Sequence, residues 1–147
     1  MIKVYDEPEQ WIDIWTILKE RINPSPTECD ELITDTSNPF KYIASITYKN
    51  YPYLVIDHTI INKSVVTRSF ITTILDYCFT KRPIIRSFVK GDNIKSNKFI
   101  QHLGFVQEGR YRQYFQDGTD FLIYSMTKEE WEQNPFRRIK WLILQHH

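Results

Sequence analysis

Cysteine, glycine and long apolar runs are all scarce in this chain of 147 residues, and its charges nearly cancel. The two cysteines, Cys29 and Cys78, are far apart and form no paired motif. They exclude a disulfide framework and a cysteine-based zinc site and predict buried, idle thiols; no metal centre is expected. No stretch approaches the roughly eighteen apolar residues of a membrane-spanning helix, and Met1 to Pro8 lacks the apolar stretch of a secretory leader. An intracellular, cytoplasmic location is expected. A net charge of +1 removes any general electrostatic reason to bind nucleic acid or membranes.

What is present points to a folded domain. Hydrophobic residues make up 41% and aromatics 15%, too apolar for a disordered chain. The length suits one domain, expected over 1–135, with a tail at 136–147. Residues 2–5 read as a short strand, and Asp6, Pro8 and Glu9 as a helix start. Trp11, Ile14, Trp15, Leu18 and Ile22 then recur at helical spacing, forming a stripe that faces a core. Asn23-Pro-Ser-Pro26 ends that helix, and the polar segment 27–39 reads as a surface loop.

Phe40–Tyr48 and Tyr53–Ile61 are rich in β-branched and aromatic residues and are expected to be strands joined by a turn at Lys49-Asn-Tyr-Pro52. From Ser64 to Phe79, Val66, Phe70, Ile74 and Cys78 repeat every four residues, which predicts an amphipathic helix. Ile84–Val89 reads as a strand. Phe105–Phe115 and Phe121–Met126 pair around Gln116-Asp-Gly-Thr119 as a hairpin. Between the Ile84–Val89 strand and that hairpin lies Asn93-Ile-Lys-Ser-Asn-Lys-Phe-Ile-Gln-His-Leu-Gly-Phe105, a short helix with Asp92 or Asn93 as cap, an apolar face of Phe99, Ile100 and Leu103, and Gly104 at its end.

That stretch, continuing through Val106-Gln-Glu-Gly-Arg110 to Tyr124-Ser125-Met126 and Glu130-Trp131, resembles the second half of the Gcn5-related N-acetyltransferases. The branch that modifies ribosomal-protein N-termini is the most similar. The resemblance spans roughly residues 53–131 and concentrates in 93–126. It implies an α/β (α+β) fold of the acyl-CoA N-acyltransferase type, a mixed central sheet flanked by helices with its first half shortened. It also implies acetyl-CoA as cofactor and an amine as acceptor, anything from a small molecule to a protein N-terminus.

Acyl transfer to an amine needs an anchor for the diphosphate, polarisation of the thioester carbonyl and a route for the amine's proton. The family meets the first need with a glycine-rich turn. The matching segment, Ile61 to Ser69, holds no glycine. Asn62, Lys63, Ser64, Thr67 and Arg68 at this helix start still suit an anion. The resemblance sets Asn93 and Ser96 beside the pantetheine arm. The family's general-acid tyrosine falls at Ile100 and is absent. His58, beside Asp57 near the end of the central strand, and Glu108 on a later strand are the candidate bases. His102 reads as a helix-end residue, and His146 and His147 as the chain end.

Arg110, Tyr111, Arg112, Tyr114 and Phe115 alternate basic and aromatic groups, read as one half-exposed strand of a hairpin. Residues 136–147 mix apolar and basic groups and read as a closing strand or helix packed on the domain, or else as a segment that docks a protein partner or a membrane surface. A glycine-free turn also looks like that of the acetyltransferase-like internal virion and head-assembly proteins of short-tailed phages. That likeness implies a non-catalytic binding protein, or a virion component, on the same fold.

Overall fold

The computed structural model describes residues 1–18 and 29–137. Ile22 and most of the 136–147 tail lie outside the described residues. The chain forms two compact units, Met1–Arg82 and Pro83–His147.

The first unit contains β1 (Ile2–Tyr5), α1 (Pro8–Leu18), β2 (Glu31–Asp35), β3 (Tyr42–Thr47), β4 (Leu54–Ile60), a 3₁₀ turn (Lys63–Val65) and α2 (Arg68–Phe79). Its strands lie in the order β1-β2-β3-β4, each antiparallel to the next. Strand alternation sorts the side chains onto two faces. On one face Leu32, Ile43 and Cys29 form a buried cluster that Tyr5, Ile14, Phe40 and Ile61 pack against. On the other, Tyr42 meets Phe70 of α2 edge-on, with ring centroids 5.1 Å apart.

The expected surface loop at 27–39 is overturned in its middle, because all five residues of β2 are buried. Its acidic residues read as solvent signals but act as internal acceptors. The Glu31 carboxylate receives the hydroxyls of Tyr48 and Tyr77, with Lys81 Nζ at 3.9 Å. Asp35 accepts the amides of Lys41 at 2.7 Å and Tyr42 at 2.9 Å. Burial opposes ionisation of Asp35, but hydrogen bonds from Ser37, Lys41 and Tyr42 outweigh it and hold the carboxyl below its ordinary range. The helix expected over 64–79 begins later. Lys63–Val65 is a tight 3₁₀ turn, and α2 starts at Arg68 with Thr67 as its cap.

The second unit contains β5 (Ile84–Lys90), α3 (Ile94–His102), β6 (Val106–Tyr111), β7 (Phe121–Thr127) and α4 (Lys128–Glu132). Its strands lie in the order β5-β7-β6, antiparallel throughout. The middle strand supplies Tyr124, Ser125 and Met126, all fully buried. Helix α3 stops as expected at Gly104, whose φ of +100° suits glycine, and a Cβ there would meet Asn134 Nδ2 at 2.5 Å. Asn134 donates to Leu103 O at 2.7 Å, capping the helix end. Helix α4 was not foreseen, although Thr127 and Glu130 form a complete capping box over buried Trp131.

Arg110 to Phe115 do not share one strand. β6 ends at Tyr111, Gln113 takes a φ of 52°, and its amide donates to Asp120 Oδ1 at 2.9 Å. Arg112, Tyr114 and Phe115 therefore belong to the connecting turn, closed by Gly118 N to Phe115 O at 2.9 Å. Among the described residues no helix is long and apolar enough to cross a membrane, and no group of three His, Cys, Asp or Glu could hold a metal.

Candidate functional site

In the first unit, β4 runs directly into the 3₁₀ turn and α2, so His58, Asn62, Lys63, Ser64, Thr67 and Arg68 share one strand–turn–helix segment. Asp57 pairs with Ser45 and His58 with Ala44, which puts the two on opposite faces. His58 Nδ1 is 3.1 Å from the Tyr42 hydroxyl, on the face covered by Phe70 of α2. Burial pulls the imidazole down to about 4, so it is neutral at pH 7. Asp57 keeps an exposed face, yet protein crowding around its carboxyl pushes it up to about 6. Of the two, Asp57 holds the proton affinity closer to neutrality and retains access to solvent.

The turn after β4 satisfies its own amides. Asn62 Oδ1 accepts Ser64 N at 2.9 Å, Asn62 O accepts Val65 N at 3.4 Å, Lys63 O accepts Val66 N at 3.0 Å and Val65 O accepts Thr67 N at 2.8 Å. Thr67 Oγ1 then accepts Phe70 N at 3.1 Å. Asn62, Lys63, Ser64, Thr67 and Arg68 are exposed, while Val65 and Val66 are half-buried.

In the second unit, Asn93 and Ser96 meet in a single cap hydrogen bond, Ser96 N to Asn93 Oδ1 at 3.1 Å. Glu108 is exposed and sits between Gln107, which pairs with Tyr124, and Gly109, which pairs with Ile123. It is the extra residue of a β-bulge, which turns its side chain out of the strand's alternation. His58 and Glu108 belong to different units.

No family model matches the chain, and no curated protein matches it in sequence. Solved structures do match. Mutant forms of the spermidine/spermine N-acetyltransferase SpeG from Vibrio cholerae share 14% identity at a TM-score of 0.69, over 90% of this chain and 98% of that one. SpeG in complex with manganese ions gives 15% and 0.69, over 90% and 95%. A dodecameric structure of the V. cholerae spermidine N-acetyltransferase in an intermediate state gives 17% and 0.67, over 89% and 95%. The fold is that of the Gcn5-related N-acetyltransferases.

Against the needs of acetyl-CoA, this acetyltransferase fold fits unevenly. Exposed Lys63, in the 3₁₀ turn, and exposed Arg68, the first residue of α2, supply positive charge near a helix N-terminus that also favours an anion. The turn's backbone does not fit, because the amides of Ser64, Val65, Val66 and Thr67 all point at internal acceptors.

Sequence reasoning missed Asn97. It is buried, donates through Nδ2 to Lys90 O at 3.2 Å and Asn93 O at 2.8 Å, and accepts the Tyr124 hydroxyl at 2.7 Å. Gln101 Nε2 reaches the same hydroxyl at 3.1 Å. The signal was there, since Asn97 stands three residues before Ile100 on the apolar stripe, and a polar residue on such a stripe needs a buried partner. Also in the second unit, Arg110, Tyr111, Arg112, Gln113, Tyr114 and Asp120 line an open groove of about 750 Å³.

Proposed function

We propose that the chain is an N-acyltransferase that moves an acetyl group from acetyl-CoA to a primary amine of a protein or small molecule. The observation that carries this reading is the pairing, on one strand–turn–helix segment, of a carboxyl poised at about 6 with a basic helix start. The acetyltransferase fold supports it. Acetyl-CoA supplies an acetyl group already activated as a thioester. Asp57, largely ionised at pH 7, accepts the proton that the acceptor ammonium must lose before its nitrogen can attack. Lys63 and Arg68 offset negative charge at the start of α2. The resemblance assigns Asn93 and Ser96 to the pantetheine arm, and Glu108 stays a candidate base. His58, held neutral beneath α2, keeps the strand packed.

Calorimetric titration with acetyl-CoA, followed by an acetyl-transfer assay over a panel of amines, tests this. Spermidine comes first, because the structural neighbours are named for it. Asp57→Asn should lower kcat about 10²- to 10⁴-fold, with cofactor affinity unchanged and the pH limb near 6 removed. His58→Gln should stay within about tenfold of wild type. Absence of both heat at millimolar acetyl-CoA and transfer to any amine would end the enzyme reading.

One observation favours a second reading. A turn that consumes its own amides suits a non-catalytic protein on this fold, including a phage virion or head-assembly component, acting through a protein partner. A cytoplasmic location accompanies the enzyme reading, and a virion location this one.

A further inference from the structure

The open groove of about 750 Å³ on the second unit offers ring faces and hydrogen-bond donors, and its one carboxylate is already engaged. Its rings are fixed before any ligand arrives. Tyr114 stacks on Phe121 with centroids 4.9 Å apart and meets Phe115 edge-on at 5.1 Å, yet 59% of it stays exposed. Tyr111, 54% exposed, stands 6.0 Å from Tyr114 with the two ring planes tilted by 34°. The turn between them and β7 is closed by Gln113 N to Asp120 Oδ1 at 2.9 Å and by Phe115 N to Thr119 O at 3.1 Å. Rings held in this way supply contact area with little conformational entropy left to lose.

The polar lining decides what those rings can meet. Asp120 is taken by Arg110 Nε at 3.4 Å and by the Gln113 amide. Among the described residues, the Arg112 guanidinium, the Gln113 side chain and the hydroxyls of Tyr111 and Tyr114 have no hydrogen-bond partner. The free groups are therefore rich in donors. Charge in and beside the groove is balanced, since Lys90, Arg110 and Arg112 stand against Asp92, Asp117 and Asp120, with Lys90 Nζ 2.7 Å from Asp117 and 3.9 Å from Asp92. The complementary ligand is uncharged, rich in acceptors, poor in donors and apolar along its sides. A sugar brings a donor with every hydroxyl, and a nucleic acid brings a charge with every phosphate. A run of prolines brings carbonyls without N–H groups, apolar rings, and a conformation with no internal hydrogen bonds.

We propose that Tyr111, Arg112, Gln113 and Tyr114 dock an uncharged proline-rich segment of a partner protein in the polyproline II conformation. Proline rings pack on the two tyrosines, and peptide carbonyls accept from Arg112 and Gln113. None of these four residues is assigned to acetyl transfer, so the docking does not rest on that reading.

Calorimetric titration of the full chain with an end-blocked polyproline peptide of about ten residues tests this, beside a Gly/Ser peptide of equal length, a thymidine oligonucleotide and a malto-oligosaccharide. Polyproline alone should bind, with an affinity that holds steady between about 50 and about 300 mM NaCl. Tyr111→Ala and Tyr114→Ala should each weaken it at least about tenfold, Tyr114→Phe less than about threefold, and Arg112→Ala by an amount in between. Thermal melts check folding. If Tyr114→Ala does not fold, Tyr111→Ala and Arg112→Ala, both at exposed positions, decide the outcome. Absence of polyproline binding, binding unchanged in the alanine variants, or a preference for the oligonucleotide or the oligosaccharide overturns the proposal.

Discussion

Two strand-to-helix turns in this chain open on an asparagine, Asn62 after β4 and Asn93 after β5, and they receive very different support. Asn62 donates its own amide to Lys41 O at 3.0 Å and caps a 3₁₀ turn whose amides from Ser64 to Thr67 bond within the turn and whose polar residues are exposed. Asn93 caps α3 through Ser96 N, and one turn further on the buried Asn97 ties that same helix to Lys90 O, Asn93 O and the Tyr124 hydroxyl. The first turn is held mainly by backbone hydrogen bonds, within itself and to Lys41 O, the second by a side-chain network reaching β5 and β7. A motif can thus look alike at its first residue and differ in what keeps it in place.

Removing the network should break the comparison most strongly. Asn97→Ala takes away the acceptor of the buried Tyr124 O–H, leaving that oxygen only the bond from Gln101 Nε2, removes two donated hydrogen bonds, and should cost about 3 kcal/mol in urea unfolding. A loss below about 1 kcal/mol would mean that the network contributes little.

The next test sharpens the comparison through pH, because the strand feeding the first turn carries two titrating neighbours of opposite sign. His58 is lowered to about 4 from an ordinary 6.5, so the folded state resists its protonation, and stability is lost as pH falls from 6.5 towards 4. Asp57 is raised to about 6 from 3.8, so its contribution is present below 3.8 and is lost as pH rises through 6. In wild type the two trends offset one another. Asp57→Asn should therefore unmask a loss of about 2 kcal/mol between pH 6.5 and 4, seen in urea midpoints at several pH values. His58→Gln should reverse the slope, leaving the protein more stable at pH 4 than at pH 6. Flat profiles in both variants would refute the assignment.

The smallest effects compare the two caps directly. Asn93→Ala should cost about 1 kcal/mol, in line with a helix cap. Asn62→Ala should cost only a few tenths, because the amide it releases lies at an exposed turn where water replaces it. Equal losses would erase the distinction between the turns.

Much of the fold was legible because its signals are local. Gly104 ending α3, Asn93 as its cap and the β3–β4 turn follow from residue types acting on their own backbone. The mixed α/β fold followed from the order of elements and from the resemblance over 53–131, concentrated in 93–126, and is matched by structures of similar topology at low identity. What escaped depends on partners distant in sequence. Nothing near Glu31 announces that Tyr48 and Tyr77 will bury it, so β2 read as a loop. The 3₁₀ turn was hidden for another reason. The four-residue repeat through Val66 extends a helical pattern across it, while Thr67 recruits Phe70 N and starts α2 afresh. His58 and Asp57 were found by position, but only their surroundings separated a neutral, packed imidazole from a carboxyl near neutrality.

The bulge at Glu108 has a consequence apart from any ligand. β6 closes one end of the second unit's β5-β7-β6 order, and its six residues are almost all exposed. A regular strand in that position would offer an unbroken row of amides and carbonyls on which other chains could stack. One extra residue, carrying a charge, splits the row into two pieces too short to template growth. Deleting Glu108 would restore the ladder, and turbidity on storage would then measure how much this one residue protects the protein at high concentration.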